Sequence, residues 1–101
     1  MAQSRVMPNP IDVRHNEDEQ RFEAEVNGGV AVIEYNRGEG IITFLHTEVP
    51  EAASGQGVAS ALARAALDYA RDSNLSVVAL CDYVSSYMKR HSEYEELRAR
   101  R

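Results

Sequence analysis

Residues 41–62 read Ile-Ile-Thr-Phe-Leu-His-Thr-Glu-Val-Pro-Glu-Ala-Ala-Ser-Gly-Gln-Gly-Val-Ala-Ser-Ala-Leu. The first six, Ile41 to His46, are rich in β-branched and aromatic side chains, the composition of a strand. At Thr47 the period changes, and from Gly57 to Ser73 it is that of a helix. Ser60, Arg64, Asp68, Arg71 and Asp72 fall on one stripe; Val58, Leu62, Ala65, Ala66 and Tyr69 fall on the opposite one. Arg64 and Asp68, four apart, are spaced to pair on the solvent face, and Asn74 suits a left-handed residue ending the helix. Leu75 to Cys81 is a mostly apolar run with β-branched residues, as a buried strand requires. Strand 41–46, helix 57–73 and strand 75–81 thus make a β-loop-α-β unit with parallel strands and a right-handed crossover.

Upstream, Arg21 to Val26 alternates polar and apolar residues, as a half-buried strand does. Asn27-Gly28-Gly29 tolerates the positive φ of a tight hairpin, and Val30 to Tyr35 supplies the partner strand. Asn36 to Gly40 turns the chain into Ile41. A short strand at Ile11 to Arg14 and a charged turn at Asn16 to Gln20 complete an antiparallel meander. Downstream, a second helix spans about Val84 to His91, followed by a short charged segment, Ser92 to Leu97. The expected organisation is a flexible start at 1–9, one domain at 10–97 of mixed α+β or α/β class, and a frayed basic tail at 98–101.

Composition narrows the function classes. The chain has 101 residues, of which 44% are hydrophobic and 27% charged, as in ordinary globular domains. Eleven basic and 16 acidic side chains give a formal charge of −5, the wrong sign for a nucleic-acid protein, which needs a basic stripe to displace counterions. The single cysteine, Cys81, has no internal disulfide partner, which points to a reducing, cytoplasmic setting. No apolar run reaches the roughly 18 residues of a membrane span, and the first ten residues lack the apolar core of a secretory signal.

The topology brings both parallel strand ends and the helix entrance to one sheet edge, where open α/β sheets bind ligands. His46 and Cys81 close the two strands, and Gly55, Gln56, Gly57, Val58 and Ala59 form the helix entrance. The first N–H groups of a helix lack internal acceptors and carry partial positive charge, so an anion is favoured there. The glycines therefore have two readings: a backbone cradle for phosphate, or a tight turn before a helix. A Walker loop is excluded because no lysine follows, and a dinucleotide fingerprint because its third glycine is replaced by Ser60.

Ser54-Gly55-Gln56-Gly57-Val58-Ala59 resembles the acetyl-CoA-binding signature of GNAT N-acetyltransferases, Gln/Arg-x-x-Gly-x-Gly/Ala. Gly57 and Ala59 match, and Ser54 departs from the usual Gln or Arg. His46-Thr-Glu-Val-Pro, Cys81-Asp-Tyr83-Val, Tyr87 and His91-Ser-Glu-Tyr94 follow in the order seen in the short, stand-alone class of that family. The resemblance spans about residues 10–97. It implies a GNAT-like twisted mixed sheet whose central parallel strands splay apart around acetyl-CoA. Thr47, Val49, Ser54, Gly55, Gln56, Gly57, Val58, Ala59, Ser60 and Tyr83 are then the cofactor-binding residues. At 101 residues the sequence is short for the pair of N-terminal helices that covers the acceptor in full-length members, so the acceptor site is expected to be open or completed by a protein partner.

Acetyl transfer needs an oxyanion donor, a base for the amine and a proton for the departing thiolate. A backbone N–H near His46 or Thr47 suits the first role, and the His46 imidazole the second. The alternative for His46 is a histidine bonded to its own loop. Cys81 is either a nucleophile that carries an acetyl group or a small apolar residue lining the site; the second is preferred. Tyr87 is the candidate acid. Glu48 and Glu51 either attract an amine or are solvated loop charges. The three histidines lack partners at ligand spacing, so no metal is expected. The function expected is transfer of acetyl from acetyl-CoA to an amine on a small molecule or protein; the alternative is a CoA or acyl-CoA sensor with little turnover.

Overall fold

A computed structural model describes residues 11–99. The alternating pattern at 21–26 becomes β2 (Arg21–Val26), which turns through a two-residue loop, Asn27-Gly28, into β3 (Gly29–Gly38). Gly28 adopts φ 88°, a left-handed value that side chains resist. β1 is Arg14–Asn16 rather than 11–14, and β3 runs past the expected turn, which shrinks to Glu39-Gly40. β4 (Ile41–Glu48) follows, then a 3₁₀ turn at Glu51–Ala53 and α1 (Val58–Asp72). β5 (Ser76–Ala79), α2 (Asp82–Arg90) and α3 (Ser92–Glu95) complete the fold. The five strands lie in the order β1-β2-β3-β4-β5; the first four are antiparallel, and β4 and β5 are parallel. This is the expected twisted mixed sheet with a meander, a β-loop-α-β unit and a C-terminal helical segment.

α1 covers one sheet face, burying Val58, Leu62, Ala63, Ala66, Leu67 and Ala70 over Phe22, Ile33, Tyr35, Ile42 and Phe44. Each fully buried leucine contributes about 1.5–3 kcal/mol. Ala63, Leu67 and Ala70 sit at the centre of this face, whereas Ala65 and Tyr69, expected there, are half-buried at its flanks. Small alanines on several sides of the helix widened its apolar stripe and obscured its centre. Tyr69 reaches the sheet edge, where its ring meets His15 edge-on at 4.4 Å.

The expected Arg64–Asp68 pair does not form. Asp68 accepts a hydrogen bond from the Tyr94 hydroxyl at 2.6 Å and pairs with Arg71 at 3.3 Å, while Arg64 turns to the Tyr87 hydroxyl on α2. The last helices thereby fold back onto α1. The tail expected to fray from Arg98 is held instead. The Val77 N–H donates to the Leu97 carbonyl, and the Ala99 N–H to the Val77 carbonyl, both at 2.7 Å, so the segment serves the exposed edge of β5. Arg98 also donates to Glu95 at 2.8 Å and to the Ser85 hydroxyl at 3.3 Å. The expected flexible start at 1–9 and the last two arginines lie outside the described residues.

Candidate cofactor cleft

The cleft begins where the parallel ladder stops. β4 and β5 pair from Ile41↔Ser76 to Phe44↔Ala79 and no further. The Phe44 carbonyl accepts both the Leu80 and Cys81 N–H groups, at 3.0 and 3.1 Å, and ends β5 there. β4 continues on the other side: Tyr35 faces Phe44, but Glu34 faces His46, leaving Leu45 as an extra, bulged residue. The bulge shifts the side-chain alternation by one. Thr47 thus shares the inner face of Phe44, while His46 and Glu48 lie on the outer face beside Glu34 and Val32.

Across the opening, Thr47 Oγ1 and Cys81 Sγ are 2.9 Å apart. Cys81 is 7% exposed and stands at the N-cap position of α2. His46 is half-exposed, with Nε2 3.6 Å from Glu48 Oε1.

The entrance of α1 forms the other wall. Gly55 and Gly57 take φ 79° and 80°, both left-handed, so glycine is required for conformation. A methyl group at either would meet nothing within 4 Å, so the space in front of this backbone is open. The N-cap residue Gly57 offers no capping side chain, and the first intrahelical bond is from Ala61 N–H to the Gly57 carbonyl at 3.0 Å. The N–H groups of Val58, Ala59 and Ser60 find no acceptor among the described residues. A groove of about 260 Å³ lies before them, lined by Val49, Ala53, Ser54, Gly55, Gly57, Val58, Ala59, Ser60 and Tyr83.

Most expected cofactor residues therefore meet in one place. Gln56 is exposed and does not line the groove, and Thr47 is engaged with Cys81. Ala53 lines the groove although the sequence reading passed over it; its signal was the Pro50-Glu51 start of a short turn ending on an apolar residue. Tyr87, expected as the acid, is not brought to the groove. Its ring is buried, stacked on His91 at 4.1 Å with its hydroxyl toward Arg64. One turn earlier, Tyr83 occupies the groove wall. A larger hollow of about 540 Å³ lies by β1, lined by Arg14, His15, Asn16, Glu17, Asp18 and Glu23, away from these groups. No group of three or more His, Cys, Asp or Glu suited to a metal occurs among the described residues, and none of their helices is long and apolar enough to cross a membrane.

The GCN5-related N-acetyl-transferase family model matches residues 21–97, which include the end of the β4–β5 ladder and the uncapped entrance of α1. The chain belongs to the GCN5-related N-acetyltransferase family. Among its relatives, Protein NATD1 of Gallus gallus and of Mus musculus are each 38% identical over 84 residues, spanning 79% of this chain and 76% of theirs. Protein NATD1 of Homo sapiens is 38% identical over 84 residues, spanning 79% of this chain and 74% of its own. A solution structure described as GCN5-like, from Staphylococcus aureus, superposes with TM-score 0.69 over 88% of both chains at 24% identity. That last likeness concerns the fold alone. The family is one of acyltransferases that generally use acetyl-CoA.

Proposed function

We propose that the chain transfers acetyl from acetyl-CoA to an amine that approaches the face of the sheet opposite α1. The observation that carries this reading is the uncapped entrance of α1: three N–H groups without an acceptor among the described residues, two left-handed glycines and a groove in front of them. These amides suit the CoA pyrophosphate, because oriented N–H groups and the helix dipole both favour an anion. Gln56 and Thr47 would contribute backbone rather than side chain. Bound there, acetyl-CoA supplies a thioester acyl group at the opening.

The chain's own groups then divide the work. His46 Nε2 accepts the proton of the incoming amine, and Glu48, 3.6 Å away, stabilises the imidazolium so formed. Glu34, opposite His46 on β3, adds negative charge that attracts a cationic acceptor, whether a small molecule or a protein amine. Tyr83, a lining residue of the groove, returns a proton to the departing sulfur, the role that Tyr87 cannot fill from its buried position. Cys81 lines the opening and is held by Thr47; direct attack by the amine needs no acyl-cysteine. A reducing, cytoplasmic setting suits Cys81, the one cysteine of the sequence.

A second reading, a CoA or acyl-CoA sensor with little turnover, is favoured by one observation: the candidate base His46 is half-exposed and lies on the outer face. Calorimetric titration with acetyl-CoA and with CoA, followed by mass-spectrometric detection of acetylated amines, tests both. Binding with turnover supports the transferase, and binding without turnover supports the sensor. No binding at millimolar ligand refutes both.

A further inference from the structure

The hairpin joining β2 and β3 lies far upstream of the glycine loop in sequence, yet its tip rests on the segment that feeds the groove. A methyl group at Gly28 would stand 3.1 Å from Ala52 Cβ and 3.5 Å from Pro50 Cβ; one at Gly29 would stand 3.6 Å from Pro50 Cγ. The segment it touches is short and stiff. The Ala53 N–H donates to the Pro50 carbonyl at 2.9 Å, and the Ser54 N–H to the Glu51 carbonyl at 3.0 Å. Ala53 is fully buried, and Val49, Ala53 and Ser54 form one wall of the groove.

We propose that the β2–β3 hairpin tip is a positioning element for the cofactor groove, and that Gly28 acts as a positioning residue through Ala52. The proposal rests on the CoA reading of that groove. Turn geometry alone does not account for the contact. Gly40, at the β3–β4 turn, has φ 71° and the same need for glycine, yet a methyl there would meet nothing within 4 Å. At Gly28 the missing side chain has two jobs: it permits φ 88° and it admits the Pro50–Ala52 turn. Carbon atoms in contact prefer about 3.5–4.0 Å, so a methyl at 3.1 Å displaces the turn by a few tenths of an ångström. The bonded 3₁₀ turn passes that displacement to Ala53 and Ser54, since two hydrogen bonds over five residues leave it little slack.

Three variants test the link: Gly28→Ala, Gly40→Ala, and Gly28→Ala combined with Ala52→Gly. Acetyl-CoA affinity is measured by calorimetry, thermal stability by circular dichroism, and backbone amide shifts of the ligand-free protein by NMR. Gly40→Ala is expected to lose stability, because alanine resists the left-handed region, while binding acetyl-CoA as the wild type does. Gly28→Ala is expected to bind roughly twofold to thirtyfold more weakly and to move the amide shifts of residues 53–57. Removing the Ala52 methyl is expected to restore affinity and shifts without restoring stability, an outcome that a merely structural role would not give. Unchanged affinity in Gly28→Ala, or no recovery in the double variant, overturns the proposal. If the wild type itself binds no acetyl-CoA, the functional reading falls, and the amide shifts decide the mechanical link by themselves.

Discussion

Replacing Gly57 separates the two meanings of its left-handed backbone. At φ 80° an alanine is strained by about 1–2 kcal/mol, and nothing within 4 Å adds a clash. In a domain of this size each kcal/mol lowers the melting temperature by about 4–8 °C. Gly57 lines the groove, so the new side chain would also take up space there. Displacing a phosphate from one charge-assisted hydrogen bond there forfeits about 1.5–3 kcal/mol, or about tenfold to 150-fold in acetyl-CoA affinity. Gly57→Asn distinguishes the effects, because asparagine tolerates the left-handed region while filling the same space. Gly57→Asn should keep more of the stability than Gly57→Ala, yet bind at least tenfold more weakly than wild type, as read by thermal melts and calorimetric titration. Wild-type affinity in Gly57→Asn would refute the cradle and return the glycines to the role of a turn.

Cys81→Ser retains a partner for Thr47 and places a better capping residue ahead of α2, so it should be more stable than Cys81→Ala by about 0.5–2 kcal/mol. Both variants should keep acetyl transfer within a few-fold in a steady-state assay; abolition in both would establish the thiol as a nucleophile. His15, packed between Phe22, Tyr35 and Tyr69, is held below the ordinary histidine range, chiefly by burial and opposed by Glu17. Its neutral form therefore stabilises the fold above the unfolded value of about 6.5, and that contribution is lost as pH falls through the lower folded value. His15→Phe should flatten the stability decline in that window, measured by urea unfolding at successive pH values. Tyr94 is pushed up to about 12 by burial and by its bond to Asp68. Its contribution is complete below pH about 10 and lost on rising toward 12, so Tyr94→Phe should be less stable at neutrality yet decline less in alkali.

The meander and α1 were legible because their side chains repeat at periods of two and near four, and the Asn27-Gly28 turn announces its hairpin. The β4 bulge was not legible. Inserting Leu45 slips the alternation by a single residue, and nothing in Phe44-Leu45-His46-Thr47 marks which residue is the extra one. That slip decides that Thr47 faces Cys81 while His46 faces outward, so the assignment of catalytic groups depended on a feature that residue types do not encode. Tyr83 and Tyr87 raised a related difficulty. Four apart, they share one stripe of α2, and only the packing of α2 on α1 puts Tyr87 inside and Tyr83 on the groove. The glycine loop was found from its motif, but its contact with the hairpin tip is a tertiary relation between distant segments. The anchoring of Arg98 was hidden for another reason: a terminal arginine reads as a solvated charge until the unpaired edge of β5 is known.

Each neighbouring pair in the sheet is also consecutive along the chain. The first three pairs close over short turns, whereas β4 and β5 meet only after the whole of α1 intervenes. Loop closure is entropically dearer for that last pair, so the parallel join is expected to form late in folding and the meander early. The cleft lies on that seam, with Thr47 contributed by β4 and Cys81 by the segment after β5. In native-state hydrogen exchange, β5 and α2 should open at lower free energy than the meander. A molecule bound across the seam would then act as a folding staple, slowing exchange in β5 while leaving the β2–β3 amides unchanged.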